Sequence, residues 1–223
     1  MTIQEMLSHV DHTQLKAFAT WEDIVSLCEE AIEYKCASVC IPPAYIKRVH
    51  DTYGEKINIC TVIGFPLGYS VTSAKVAEVN QAYADGCNEF DMVVNISDVK
   101  NGLYDKVEEE IRTLKAAVGE KVLKVIIETC YLTEDEKIAM CKAVTNAGAD
   151  YIKTSTGFGT GGATKEDIEL FRKHIGPNVK MKAAGGVSTL DDLKMFLDLG
   201  CDRIGTSRAV GLCKGLKQEE GTY

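Results

Sequence analysis

The stretch Gly148-Ala149-Asp150-Tyr151-Ile152-Lys153-Thr154-Ser155-Thr156-Gly157 decides the fold. It opens on a glycine able to end a helix in the left-handed conformation and runs at once into an apolar segment. The same grammar recurs in Gly86-Cys87-Asn88-Glu89-Phe90-Asp91 and in Gly200-Cys201-Asp202-Arg203-Ile204-Gly205-Thr206-Ser207. Each copy reads as the turn from a helix into a buried parallel strand.

Further apolar runs at Ser38 to Ile41, Ile57 to Gly64, Glu89 to Asn95, Val122 to Glu128, Val179 to Ala184 and Arg203 to Thr206 extend the pattern, with an early short strand around His9 to His12. Helical periodicity fills the intervals Thr20 to Tyr34, Thr72 to Asp85, Leu103 to Val118, Thr133 to Ala147, Lys165 to His174 and Leu190 to Leu199, several of them opening on a threonine cap. Together with the run from Tyr151 to Ser155 this makes eight strands within 223 residues. The expectation is an α/β chain folded as a (β/α)8 TIM barrel, with a doubly wound open sheet as the alternative. No boundary, linker or low-complexity tract interrupts it, so residues 1–223 read as one barrel domain with a short polar tail at 217–223.

Composition narrows the function. A net charge of -8 argues against a general nucleic-acid binder, which needs a basic face, but leaves local phosphate binding open. The start, Met1-Thr2-Ile3-Gln4-Glu5-Met6-Leu7, has neither a basic leader nor a long apolar stretch, so no membrane partner and a cytoplasmic location are expected. The nine cysteines are scattered without a C-x-x-C pair and read as reduced core thiols. His9, His12, His50 and His174 do not offer three converging imidazoles, and no metal is expected.

In a barrel the chemistry gathers where strands end. Those ends supply Asp11-His12-Thr13, Cys40-Ile41-Pro42-Pro43, Asp91 with Asn95, Lys153, and Lys182. Alternation puts Tyr151, Lys153 and Ser155 on one face and Lys180 with Lys182 on another, Lys180 nearer the barrel bottom. Burial disfavours an ammonium and a second lysine repels it, so such a pair lowers a lysine pKa toward neutrality and frees an amine to attack a carbonyl. The bland alternative is a pair of strand-end lysines facing water.

The segment Gly157-Phe158-Gly159-Thr160-Gly161-Gly162 matches G-x-G-x-x-G, yet the following strand ends in Ala183-Ala184-Gly185-Gly186 without the acidic residue that a dinucleotide site requires. No Gly-Lys-Ser/Thr follows, which excludes a Walker loop. The better reading joins three turns, at Gly157, at Gly185-Gly186-Val187-Ser188 and at Gly205-Thr206-Ser207, as backbone amides around a phosphate.

Taken in order, Asp11-x-Thr13, Cys40, Glu89-x-Asp91, Lys153-Thr154-Ser155-Thr156-Gly157-Phe158, Lys182-x-Ala184-Gly185-Gly186-Val187 and Arg203-Ile204-Gly205-Thr206-Ser207 resemble the deoxyribose-phosphate aldolases over nearly the whole chain. The resemblance implies reversible cleavage of 2-deoxy-D-ribose 5-phosphate to acetaldehyde and D-glyceraldehyde 3-phosphate, within carbohydrate and deoxyribonucleotide catabolism. It implies no cofactor, and it admits a homodimer. Lys153 would form the Schiff base, Lys182 would be its cationic neighbour, and Asp91 the acid-base group. Asp11 and Thr13 would orient these groups or bind a hydroxyl, Cys40 would line the pocket, and Thr156, Gly157, Gly185, Gly186, Gly205 and Ser207 would meet the substrate. A terminal tyrosine, here Tyr223, closes over the site in some relatives. The chain departs from the pattern at Ser188, where many relatives carry arginine, and at Arg208, where a second serine is usual.

Overall fold

Strands and helices alternate throughout the computed structural model, which describes residues 1–215. The order is α1 (Ile3–Leu7), β1 (Val10–Thr13), α2 (Trp21–Glu33), β2 (Ser38–Ile41), α3 (Ile46–Tyr53), β3 (Ile59–Ile63), α4 (Thr72–Ala84), β4 (Glu89–Val93), α5 (Ile96–Lys100), α6 (Tyr104–Val118), β5 (Val122–Ile126), α7 (Glu134–Asn146), β6 (Tyr151–Lys153), α8 (Lys165–His174), β7 (Lys180–Ala184), α9 (Leu190–Asp198), β8 (Arg203–Thr206) and α10 (Ala209–Cys213). Each strand pairs in parallel with the next, and β8 returns to β1 with Gly205 opposite Asp11, which closes the (β/α)8 barrel and excludes the open sheet.

Local chemistry sets the helix starts. Thr20, Thr133 and Thr189 each accept a backbone N–H through the side chain, while Asp23, Glu136 and Asp192 reach back to the cap, forming reciprocal capping boxes. Several strands stop short of the apolar runs that announce them. β5 ends at Ile126 and β6 at Lys153, and the residues that follow turn into the loops at the barrel mouth. Asn95, expected near the site, instead caps α5, its side chain accepting from the Asp98 N–H at 3.3 Å.

Alternation along the strands separates two interiors. Outward residues such as Val39, Ile41, Ile59, Phe90, Met92, Val125, Ile152 and Ile204 pack in the main apolar core with the helices. A barrel lumen is ordinarily filled by branched apolar side chains. Here Asp11, Glu89, Asp91, Lys124, Lys153 and Lys182 are buried instead. They are joined by a small apolar cluster of Leu15, Cys40, Cys60 and Val62.

Outside the lumen, one buried ion pair fixes the strand that carries Asp91. Lys75 of α4 donates to Glu110 of α6 and to the Val93 carbonyl at the end of β4, both at 2.8 Å. Gly64 leaves room for it, since a Cβ there would lie 2.7 Å from Lys75 Cε. Burial pulls the Lys75 ammonium below the usual lysine range while Glu110 opposes that shift. Glu110→Gln should therefore leave an uncompensated buried cation and destabilise the fold by about 3 kcal/mol at neutral pH. The loss is full below the folded-state pKa of Lys75 and fades as rising pH removes its proton, so urea unfolding at neutral and alkaline pH should show the penalty shrinking.

Candidate active site

Register brings the charged side chains together. Lys153, Lys182 and Arg203 are successive partners across β6, β7 and β8, and Asp91 pairs with Lys124 across β4 and β5. One oxygen, Asp91 Oδ2, accepts from Lys153 Nζ at 2.7 Å and from Lys182 Nζ at 2.6 Å. Lys182 also donates to Asp11 at 2.5 Å. Lys124 Nζ lies 2.9 Å from Asp91 Oδ1 and 2.5 Å from Glu89, while Arg203 bridges Asp11 at 2.5 Å and Glu89 at 2.9 Å. Among the described residues, this linked network sets four cations against three carboxylates.

Its electrostatics follow from burial against pairing. Burial raises the Asp91 carboxyl, but Lys124, Lys153 and Lys182 outweigh it and hold that group well below the usual carboxylate range. Asp11 is held down in the same way by Lys124, Lys182 and Arg203 against its own burial. Burial opposes the Lys182 ammonium, yet Asp11 and Asp91 raise it above the ordinary lysine range, and Lys124 is raised by the same carboxylates. Lys182 and Lys124 therefore stay charged, and Asp11 and Asp91 stay ionised, near neutral pH.

Lys153 is the member of this network that lines a cavity. That cavity, of about 240 Å³, is shared with Thr13, Thr156, Gly157, Gly185, Gly186, Gly205 and Ser207, so the three glycine turns do converge on one place. Close packing explains Gly162 and Gly205. A Cβ on Gly162 would stand 2.4 Å from the Gly185 carbonyl carbon, and one on Gly205 would stand 3.2 Å from Lys182 Cε. Gly185 and Gly186 also adopt φ of 76° and 75°, which disfavour a side chain. Arg208 and Ser188 line the same cavity, the Ser188 N–H and hydroxyl both bonded to Asp192, at 3.0 and 3.4 Å.

Asp11, expected to orient the lysines or bind a hydroxyl, and Cys40, expected to line the pocket, both stand behind the cavity wall. Asp11 sits too deep to line the cavity, because its carboxylate is taken by Lys182, Arg203 and the Ser38 hydroxyl. Thr13, at the strand end, lines it instead. Cys40 is wholly buried in the apolar cluster beside Cys60 and does not line the cavity. His12 faces the other side of β1 and meets Glu30 at 2.8 Å. Tyr223 lies outside the described residues.

Cys40, Cys60 and Asp91 cluster as metal donors do, as do Asp11, Cys60 and Glu89. Lys124 Nζ already stands 3.3 Å from Cys60 Sγ, so a cation of the chain itself compensates these donors. Lys124 was not among the sequence candidates. Its signal is a charge at the centre of Val122-Leu123-Lys124-Val125-Ile126, where a strand buried on both faces tolerates one only with partners. Glu128, just beyond that strand, was also passed over.

Residues 3–218 match the family model described as DeoC/LacD family aldolase. The chain belongs to that family. As a DeoC/LacD aldolase it is a carbon-carbon lyase. It is 74% identical over 215 residues, 96% of this chain and 97% of the relative, to a deoxyribose-phosphate aldolase of Clostridium botulinum strain Alaska E43. A solved structure described as a putative deoxyribose-phosphate aldolase from Coccidioides immitis superposes with a TM-score of 0.92 at 37% identity, covering 96% of this chain and 87% of that one. Another, described as a unique tetrameric structure of deoxyribose phosphate aldolase from Aeropyrum pernix, gives 0.87 at 28% identity and covers 96% and 92%.

The network predicts how this aldolase responds to loss of Lys124. Lys124→Met removes the one lysine that contacts Asp11, Glu89 and Asp91 together, leaves their buried oxygens without that partner, and should destabilise the fold by roughly 3–5 kcal/mol at neutral pH. Asp91 and Asp11 have depressed pKa values, so their stabilisation is present above the unfolded-state value and is lost as pH falls. In the variant these carboxyls protonate at higher pH, so urea unfolding should show the gap to the parent protein narrowing on acidification.

Proposed function

We propose that the chain reversibly cleaves 2-deoxy-D-ribose 5-phosphate to acetaldehyde and D-glyceraldehyde 3-phosphate through a Schiff base on Lys153. The observation that carries this reading is a single amine, Lys153, presented to a cavity and backed by two lysines that remain charged. Of the lysines in the network, it alone is paired with one carboxylate among the described residues. Its proton leaves by way of Asp91, whose Oδ2 it shares with Lys182.

The neutral Lys153 amine adds to the C1 aldehyde of the open-chain sugar, and loss of water leaves an iminium. Removal of the C3 hydroxyl proton lets the C2–C3 electron pair move into the iminium. Glyceraldehyde 3-phosphate departs, and an enamine of acetaldehyde remains. Protonation at C2 and hydrolysis release acetaldehyde and restore the amine. Lys182 and Asp91 pass the protons through a water molecule. Thr13 and Thr156 meet the sugar, Gly157, Gly185, Gly186, Gly205 and Ser207 form the phosphate cradle, and Asp11 positions Lys182. No metal or other cofactor has a part in this scheme.

Residues 1–223 act as one domain in this reading. A cytoplasmic location is supported by nine free cysteines, and no helix among the described residues is long and apolar enough to cross a membrane. A homodimer is the proposed assembly, with the exposed Phe18, Tyr69 and Val71 offering apolar surface for it.

Two experiments test the scheme. Acetaldehyde with borohydride should give one reduced adduct, mapped by mass spectrometry to Lys153 and lost in Lys153→Ala. Labelling scattered over surface lysines would refute it. Arg208 is the other basic side chain at the cavity among the described residues, and the Ser188 beside it is uncharged, its N–H bonded to Asp192. Arg208→Ala should thus raise KM for the sugar phosphate about tenfold through loss of a charge-assisted contact. Activity on unphosphorylated deoxyribose should stay unchanged.

A further inference from the structure

The glycine-rich segment after β6 is only partly accounted for by the cavity. Gly159 and Gly161 do not line it. They lie against the turn after β5, where a Cβ on Gly159 would stand 3.1 Å from Glu128 Cδ and 2.9 Å from Cys130 Sγ, and one on Gly161 3.2 Å from Cys130 Cβ. The segment is thus shaped to fit over Glu128.

Glu128 is itself unusual. It is buried, yet its backbone is left-handed at φ 53° and ψ 67°, a conformation costly for a residue with a side chain. That twist delivers the carboxylate to Thr156. Oε1 accepts from the Thr156 N–H at 3.1 Å, and Oε2 accepts from the Thr156 hydroxyl. The same hydroxyl oxygen accepts from the Phe158 N–H at 3.0 Å. Both protons of Thr156 are therefore committed to Glu128, and one of the two lone pairs of Oγ1 is committed to Phe158.

We propose that Glu128 is a positioning residue that makes Thr156 a hydrogen-bond acceptor toward the cavity, and so reserves that wall for a hydroxyl of the sugar and against its phosphate. A phosphate dianion carries only acceptor oxygens and meets repulsion from the remaining lone pair. A sugar hydroxyl donates to it. The phosphate is accordingly kept off the Thr156 side chain and held by the Gly157 backbone and the turns after β7 and β8, which fixes the direction in which the substrate lies across Lys153. This inference rests on the aldolase reading above.

A double-mutant cycle in KM and kcat tests it. Glutamine at 128 has one acceptor and one donor end, so Glu128→Gln must set its NH2 against either the N–H or the hydroxyl of Thr156. Glu128→Gln and Thr156→Val should each raise KM for 2-deoxyribose 5-phosphate about tenfold, the worth of one hydrogen bond. The double variant should be no worse than either single, because both remove the same contact. Thr156→Ser, which keeps the hydroxyl, should retain the parental KM. Trapping of acetaldehyde on Lys153 should be affected far less than KM in Glu128→Gln and Thr156→Val, since acetaldehyde carries no hydroxyl. An unchanged KM in Thr156→Val, or KM effects that multiply in the double variant, would overturn the role of Glu128; Thr156→Val decides even if Glu128→Gln fails to fold. Loss of Lys153 trapping in the unaltered protein would instead overturn the aldolase reading beneath it.

Discussion

The constraint on which the molecule depends is the charge held inside its closed barrel. Taking an ion out of water costs several kcal/mol even after relaxation, and attraction to partners offsets this only when hydrogen bonds are complete. The lumen meets that condition by sharing. Asp91 serves three lysines, Asp11 serves Lys182 and Arg203, and Glu89 serves Lys124 and Arg203. Such sharing needs parallel strands in one register, because a slip of one residue sends every member to the other face of the sheet. Apolar contacts drive the barrel to close, while the ion network selects which closure is tolerated.

The surplus of one cation gives the network its chemical bias. Arg203 keeps its proton under all relevant conditions. Lys124 and Lys182 each contact more than one carboxylate. The lysine with the fewest carboxylate partners is the one at the cavity. Lys153 contacts Asp91 alone, and its strand ends at that residue, so its head group meets the cavity from within the network.

Much of this was legible in the sequence. Helix-ending glycines before Asp91, Lys153 and Arg203 announced the αβ turns, and lysines beside glycines marked the mouth. What was not legible has physical reasons. Lys124 stands in mid-strand, and only the alternation of two neighbouring strands, with their register, shows that it faces Asp91. Cys40 was expected to line the pocket from the resemblance and Asp11 to orient the lysines or bind a hydroxyl, and strand ends define the mouth only in general. How far each end rises depends on barrel stagger, which no single segment encodes. Glu128 was hidden for another reason, since an ordinary L-residue gives no local sign that it will take a left-handed turn.

The loops above the barrel show how such a site gains precision without large parts. The turn after β6 rests on Glu128 and Cys130 from below and on Gly185 from the side, and Ala163 N–H bonds the Ala184 and Gly185 carbonyls at 3.1 Å. Phe158 meets Phe65 edge-on at 5.3 Å, tying the same turn to the loop after β3. Glycine is required where two backbones touch, so a motif that resembles a dinucleotide fingerprint is here a surface of contact between loops. The lumen fixes charge and the loop contacts fix hydrogen-bond direction; together they orient a flexible substrate whose hydroxyls and phosphate differ chiefly in which of them carries a proton to donate.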